Sequence, residues 1–165
     1  MLALVPHTGW SWLVRVDRDQ VAARAKLVAL PVLDAELYHL VRDHDGDRAR
    51  FFAARRDAAL ASTIVAVRAH AVGAKALVLG KQPELPALEK IVASHAMIHT
   101  AEGDLWRALF AEACTACGLA VKRAPLPAPR DARWLTAAGN RLGAPWTAEL
   151  KAAATAARTA RTAPR

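Results

Sequence analysis

Lys75-Ala76-Leu77-Val78-Leu79-Gly80 is a short apolar run closed by a glycine, and Gly118-Leu119-Ala120-Val121 opens a second one downstream. Between them the apolar spacing predicts a long helical region from about Leu85 to Cys117. Parallel strands cannot be joined by a tight turn; they need a crossover of about a dozen residues or more, usually helical. A buried strand, such a crossover and another buried strand therefore predict a parallel βαβ unit. The first run is apolar at every position from Ala76 to Leu79, as a strand covered on both faces requires.

Working back toward the N-terminus, Trp10, Trp12, Val14 and Val16 alternate with Ser11, Leu13, Arg15 and Asp17. A period of two marks a half-buried strand. Leu2 to Val5 form an earlier apolar strand, separated by the turn chemistry of Pro6-His7-Thr8-Gly9. Asp17-Arg18-Asp19-Gln20 reads as the next turn and Lys26 to Leu30 as a third strand, ended by Pro31. Three strands with short connections predict an antiparallel meander.

Val32 to Val41 carries a helical pattern, with Leu33, Leu37, Leu40 and Val41 on one side. Asp43-His44-Asp45-Gly46-Asp47 breaks it; this acidic stretch lacks the distal bidentate Glu of a calcium loop, and Asp47 suits a helix N-cap. A helix follows from Arg48 to about Val72, stopped by Gly73, with Leu60, Ile64, Val67 and Ala71 as its core stripe and Arg48, Arg55 and Arg56 facing water. Past the strand at Leu79, a helix beginning near Pro86 buries Leu88, Ile91 and Val92. A break between Ser94 and Thr100, with Thr100 as N-cap, leads to a second helix carrying Leu105, Leu109 and Ala113. After Val121 the alternating prolines of Ala124 to Pro129 make a stiff connector. Helices follow over Trp134–Leu142 and Ala148–Ala157. The organisation is one α/β domain over 1–157 and a basic, frayed tail over 158–165.

Composition agrees with a single globular domain: 165 residues, 54% hydrophobic and 23% charged. No run approaches the roughly 18 apolar residues of a membrane span. The N-terminal stretch lacks the basic region and length of a signal peptide, and two cysteines cannot make a disulfide framework, so the expected setting is cytoplasmic. The net charge is +8 and the pI about 10.3. Beyond Gly118 there are nine basic residues against the two acidic ones, Asp131 and Glu149, so nearly all of the imbalance lies in the last third. A basic pole favours polyanions, with DNA or RNA first. Lys122, Arg130, Arg133, Arg141 and Lys151 are its candidate contacts, joined by Lys81, which with Gln82 and Glu84 follows the carboxyl end of the strand at Leu79, where open α/β sheets place ligands.

Two clusters could carry chemistry. His95, His99 and Glu102 are spaced by four and three, so on one continuous helix they would share a face as metal ligands or an acid–base pair. Across a break at Thr100, Glu102 would instead favour a positive helix end. Cys114-Thr115-Ala116-Cys117 matches C-x-x-C but sits at a helix C-terminus, where the dipole opposes a thiolate, so packing cysteines are expected. Glycine-rich nucleotide loops and the G-x-S-x-G elbow are absent from the sequence.

The order strand, strand, strand, helix, strand, helix, strand, helix resembles the ribonuclease H-like fold, and within it the Holliday-junction resolvase branch of RuvC and YqgF type. In that branch the first strand carries Gly-Ile-Asp-Pro-Gly and, a little later, Thr-Gly; here Leu2-Ala3-Leu4-Val5-Pro6-His7-Thr8-Gly9 echoes the proline and the Thr-Gly. The resemblance implies a three-layer fold whose mixed sheet combines the antiparallel meander with parallel strands alternating with helices. It also implies catalytic carboxylates holding two Mg²⁺. Val5 stands where the first Asp belongs, the fourth-strand Glu would fall near Gly80-Lys81 with Glu84 the nearest carboxylate, and Glu149 matches the acidic residue of the last helix. The leading expectation is a nucleic-acid-binding protein without a complete nuclease site. The alternatives are a metal-dependent hydrolase or nuclease using His95, His99 and Glu102, with Mg²⁺ as cofactor if it is a nuclease, and a non-catalytic interaction domain, with a second copy of the chain among its partners.

Overall fold

A computed structural model describes residues 1–162 except 19, 72, 74, 82 and 129–131. Asp19, Val72, Gln82, Pro129, Arg130, Asp131 and the stretch from 163 therefore lie outside the described residues. The elements in order are β1 (Leu2–His7), β2 (Trp10–Asp17), β3 (Gln20–Val28), α1 (Val32–Ala35), α2 (Leu37–Arg42), α3 (Arg48–Arg68), β4 (Lys75–Leu79), α4 (Leu88–Val92), α5 (His95–Ala116), β5 (Ala120–Ala124), α6 (Arg133–Leu142) and α7 (Ala148–Thr162). The strands form one sheet in the order β3-β2-β1-β4-β5. β1 pairs antiparallel with β2 (Leu4 opposite Leu13) and parallel with β4 (Leu4 opposite Val78). β2 and β3 are antiparallel, β4 and β5 parallel.

Helices lie on both faces of the sheet because β1 is apolar on both and needs cover on each. Leu2 and Leu4 join Leu13, Leu27 and Ala76 in a core capped by α2, α3, α4 and α5, where Trp106, Leu109 and Phe110 are fully buried. Ala3 and Val5 point the other way, into a second core of Val14, Val16, Leu77 and Leu79 beneath Leu135 of α6 and Leu150, Ala153 and Ala157 of α7. Each large aliphatic side chain so buried contributes about 1.5–3 kcal/mol. The result is three layers, helices on both faces of the sheet.

Several local expectations change. The helix expected over 32–41 is two pieces, interrupted at Glu36 with ψ 65°. In an unbroken helix the Ala35 carbonyl would accept from His39 and the Tyr38 amide would donate to Asp34. Instead Trp106 Nε1 donates to the Ala35 carbonyl at 2.9 Å, and the Tyr38 amide donates to Glu102 Oε1 at 2.6 Å. Tertiary partners have taken both bonds. Leu33, on the first piece, is consequently 83% exposed rather than core. The break before the second crossover helix comes at Ser94, whose hydroxyl accepts from the Met97 amide, and not at Thr100, which lies inside α5 and donates to the Ala96 carbonyl. So α5 is continuous from His95 to Ala116. α3 ends at Arg68, and its most buried residues are Ala59, Thr63 and Val67, with Leu60, Ile64 and Ala71 only partly buried. β3 begins at Gln20, earlier than expected, and α7 continues to Thr162, past the start of the expected tail.

Two arginines tie α6 to the meander. Arg24 of β3 donates to the carbonyls of Leu142 and Gly143 at 3.1 and 3.3 Å, placing a cation on the unsatisfied carbonyls of the α6 C-terminus. Arg141 donates to the Val21 carbonyl. Trp146, ahead of α7, donates from Nε1 to the Leu135 carbonyl at 2.9 Å, and its ring lies over Gly139. Helix propensity alone makes Gly139→Ala stabilising by about 1 kcal/mol. Here a β-carbon would run into the indole, whose Cγ and Nε1 would stand at 3.0 Å. The expected outcome is a net loss of about 1–3 kcal/mol by urea denaturation, the cost of overpacking; a variant more stable than the wild type would show that the indole is not held over Gly139.

Candidate functional site

The carboxyl ends of β1, β4 and β5 lie at one edge of the sheet, since these three strands are parallel. At the end of β1, His7 stacks on Trp10 with ring centroids 4.0 Å apart, and Lys26 covers a Trp10 ring at 4.3 Å. His7 Nε2 also approaches Glu149 Oε2 of α7 to 3.2 Å, close but not aligned as a hydrogen bond. At the end of β4, Gly80 has φ +144°, and a β-carbon there would run into Arg107 Cδ. Glycine lets the guanidinium-bearing side chain of α5 lie across the strand end. Asp104 Oδ1 accepts from Arg123 of β5 at 2.7 Å and lies 3.7 Å from Arg107 Nε. One carboxylate thus serves two guanidinium groups, and the Nε of each has no hydrogen-bond partner among the described residues. Exposed Lys81 follows directly.

The second cluster lies on α2 and α5. Because α5 is continuous, His95 and His99 stand one turn apart, with Nε2 atoms separated by 3.1 Å. His39 of α2 completes the group: one ring nitrogen from each of the three lies within 4.8 Å of the others. His95 and His99 are exposed and His39 is half-buried. Glu102 stands behind His39 rather than beside the other two, with Oε1 at 3.8 Å from His39 Nδ1. It is 3% exposed. Burial pushes its carboxyl up to about 7, against the pull of the Tyr38, His39 and Leu37 amides at the start of α2. Burial lowers the His39 imidazole below its ordinary value. Neither His39 Nδ1 nor Glu102 Oε2 has a hydrogen-bond partner among the described residues.

The expected site residues separate accordingly. Glu102 and Glu149 belong to helices on opposite faces of the sheet, so these carboxylates do not converge. Glu84 is exposed in the connection before α4. Lys122 and Arg133 are exposed, Lys151 is half-buried on α7, and Arg141 is held by the Val21 carbonyl. Arg130 lies outside the described residues. Cys114 is fully buried, with its thiol pushed up to about 12 by desolvation, as packing requires of an inert cysteine. Sequence reasoning missed His39, His7, Arg107 and Arg123. His7 and Arg107 have partners three residues away, Trp10 and Asp104. But the Glu149, Gly80 and Asp104 contacts that bring His7, Arg107 and Arg123 to the strand ends, and the α5 histidines that meet His39, lie on other elements.

Comparison with protein-family models, with curated proteins and with solved structures finds no match to this chain.

Glu102 is the acceptor that starts α2. Glu102→Ala should leave the buried Tyr38 amide unpaired, costing about 1–3 kcal/mol for that donor. Glu102→Gln retains an acceptor and should cost less. Urea denaturation checks the ranking, and equal stability of all three proteins would refute the capping role.

Proposed function

We propose that the chain is a ribonuclease H-like protein that binds nucleic acid at the carboxyl edge of its parallel strands and does not cleave it. The observation that carries this reading is what stands at the family's carboxylate positions. Val5 is buried in the core under α7, Gly80 lies beneath Arg107, and Glu149 faces His7. Two-metal phosphodiester hydrolysis needs several convergent oxygens. An edge with Arg107, Arg123 and Lys81 near it and Asp104 as their shared counter-charge suits a phosphate oxygen instead. The strand order 3-2-1-4-5, with its antiparallel meander and parallel crossovers, agrees with the topology that the resemblance implies. No helix among the described residues is long and apolar enough to cross a membrane; a nucleic-acid partner sets the proposed location in the cytoplasm.

Binding of labelled DNA and RNA oligonucleotides, followed by fluorescence anisotropy across a salt series, tests the reading. Affinity should fall linearly with the logarithm of salt, because each neutralised phosphate releases counterions. Lys81→Ala and Arg123→Ala should each weaken binding and flatten the slope by about one unit, the share of a single neutralised phosphate. Absence of binding at low ionic strength would end the proposal. Cleavage with Mg²⁺ or Mn²⁺ that is lost in Glu149→Gln would overturn its second half.

A further inference from the structure

We infer that His39, His95 and His99 form a binding site for one divalent transition metal of the zinc class, with Glu102 as the group that orients His39. The site is independent of the nucleic-acid reading: it uses none of the residues at the strand ends. Three imidazoles are a borderline-soft ligand set, suited to zinc and its neighbours and poorly suited to Mg²⁺ or Ca²⁺, which prefer oxygen. A tetrahedral ion with metal–nitrogen bonds of about 2.0–2.1 Å places its ligand nitrogens roughly 3.3 Å apart. His95 and His99 already stand at 3.1 Å, and the whole group falls within 4.8 Å, so side-chain rotation of His39 closes the remaining gap.

The second observation is the pair of orphaned atoms behind the cluster. Zinc-bound histidines donate their other ring N–H to a carboxylate or carbonyl, which fixes the tautomer and raises ligand basicity. His39 Nδ1 and Glu102 Oε2 are both buried without a hydrogen-bond partner among the described residues, and Nδ1 is already 3.8 Å from Glu102 Oε1. An Nδ1–H turned to Glu102 leaves Nε2 of His39 bare for the metal. Glu102 itself is held by the α2 amides and stays out of the ligand shell. The two remaining ligands are exposed, so the fourth position opens to water. Three histidines plus water is the arrangement of open rather than structural zinc sites, and a metal held this way acidifies its water and acts as a Lewis acid.

The test uses the full chain, freed of metal by chelation and titrated with Zn²⁺ and Co²⁺. One equivalent should bind, with the intense visible absorption of four-coordinate Co²⁺, and Zn²⁺ should raise the melting temperature. His95→Gln and His99→Gln change exposed side chains; each should lower Zn²⁺ affinity at least 100-fold and abolish the Co²⁺ spectrum, while the melting temperature of the metal-free protein stays unchanged. His39→Gln should do the same to the metal. Glu102→Gln should weaken binding about 10–100-fold without abolishing it, as expected of an outer-shell carboxylate. Failure of the wild type to bind Zn²⁺ at micromolar concentration would overturn the site. So would binding indifferent to His39→Gln, since the ion would then sit on the two exposed helix histidines alone.

Discussion

Everything in this molecule depends on β1 being buried from both sides. Leu2 and Leu4 face one helical layer and Ala3 and Val5 the other, and all four are at most 4% exposed. A strand with no polar face cannot lie at an edge or against water, so it takes a neighbour on each side and a helical layer on each face. β2 supplies the first neighbour through a short turn, and β4 supplies the second only after α1, α2 and α3 have crossed over. The parallel pairing then puts the strand ends at one edge, and α5 and α7, on opposite faces, bring Arg107 and Glu149 to it.

The histidine cluster is a by-product of a second constraint, the termination of α1. Trp106 and Glu102, one turn apart on α5, capture the Ala35 carbonyl and the Tyr38 amide. The chain must restart its helix at Leu37, and the restart aims His39 at the helix that stopped it. Fold and candidate metal centre thus share residues. Glu102 does both jobs, as acceptor for backbone amides and as the carboxylate nearest His39. A buried carboxylate is costly unless it is bonded, and the amides at the start of α2 offset that cost.

The strands were legible in the sequence because their signals are local. The unbroken run of Ala76 to Leu79 announces a strand covered on both faces. Alternation in Trp10 to Asp17 marks β2 as a strand but misassigns its faces: Ser11 and Leu13, expected toward water, are buried, and Trp10 and Trp12 only partly so. The break at Glu36 was not legible, since the apolar pattern of Leu37, Leu40 and Val41 continues that of Leu33 and nothing nearby announces Trp106. Thr100 was read as the cap of the second crossover helix, but Ser94 takes that place and Thr100 lies inside α5. For the candidate site, His95 and His99 were readable as an i,i+4 pair, whereas His39 needed knowledge of which helix packs on α5. Among the basic residues, charge alone could not tell that Arg24 and Arg141 are tied to backbone carbonyls of other elements.

The pairing of Leu2 with Ala76 bears on how the chain is made. During synthesis the N-terminal meander emerges first and can zip locally, but the outer edge of β1 then stays open until β4 leaves the ribosome. At about 5–20 residues per second that interval lasts several seconds. Closing so long a loop is slow in any case, because its entropy is lost before the pairing returns anything. For those seconds Leu2-Ala3-Leu4-Val5 is an apolar strand with one free ladder of amides and carbonyls. An open apolar strand edge of this kind is a template for pairing with other chains until β4 covers it.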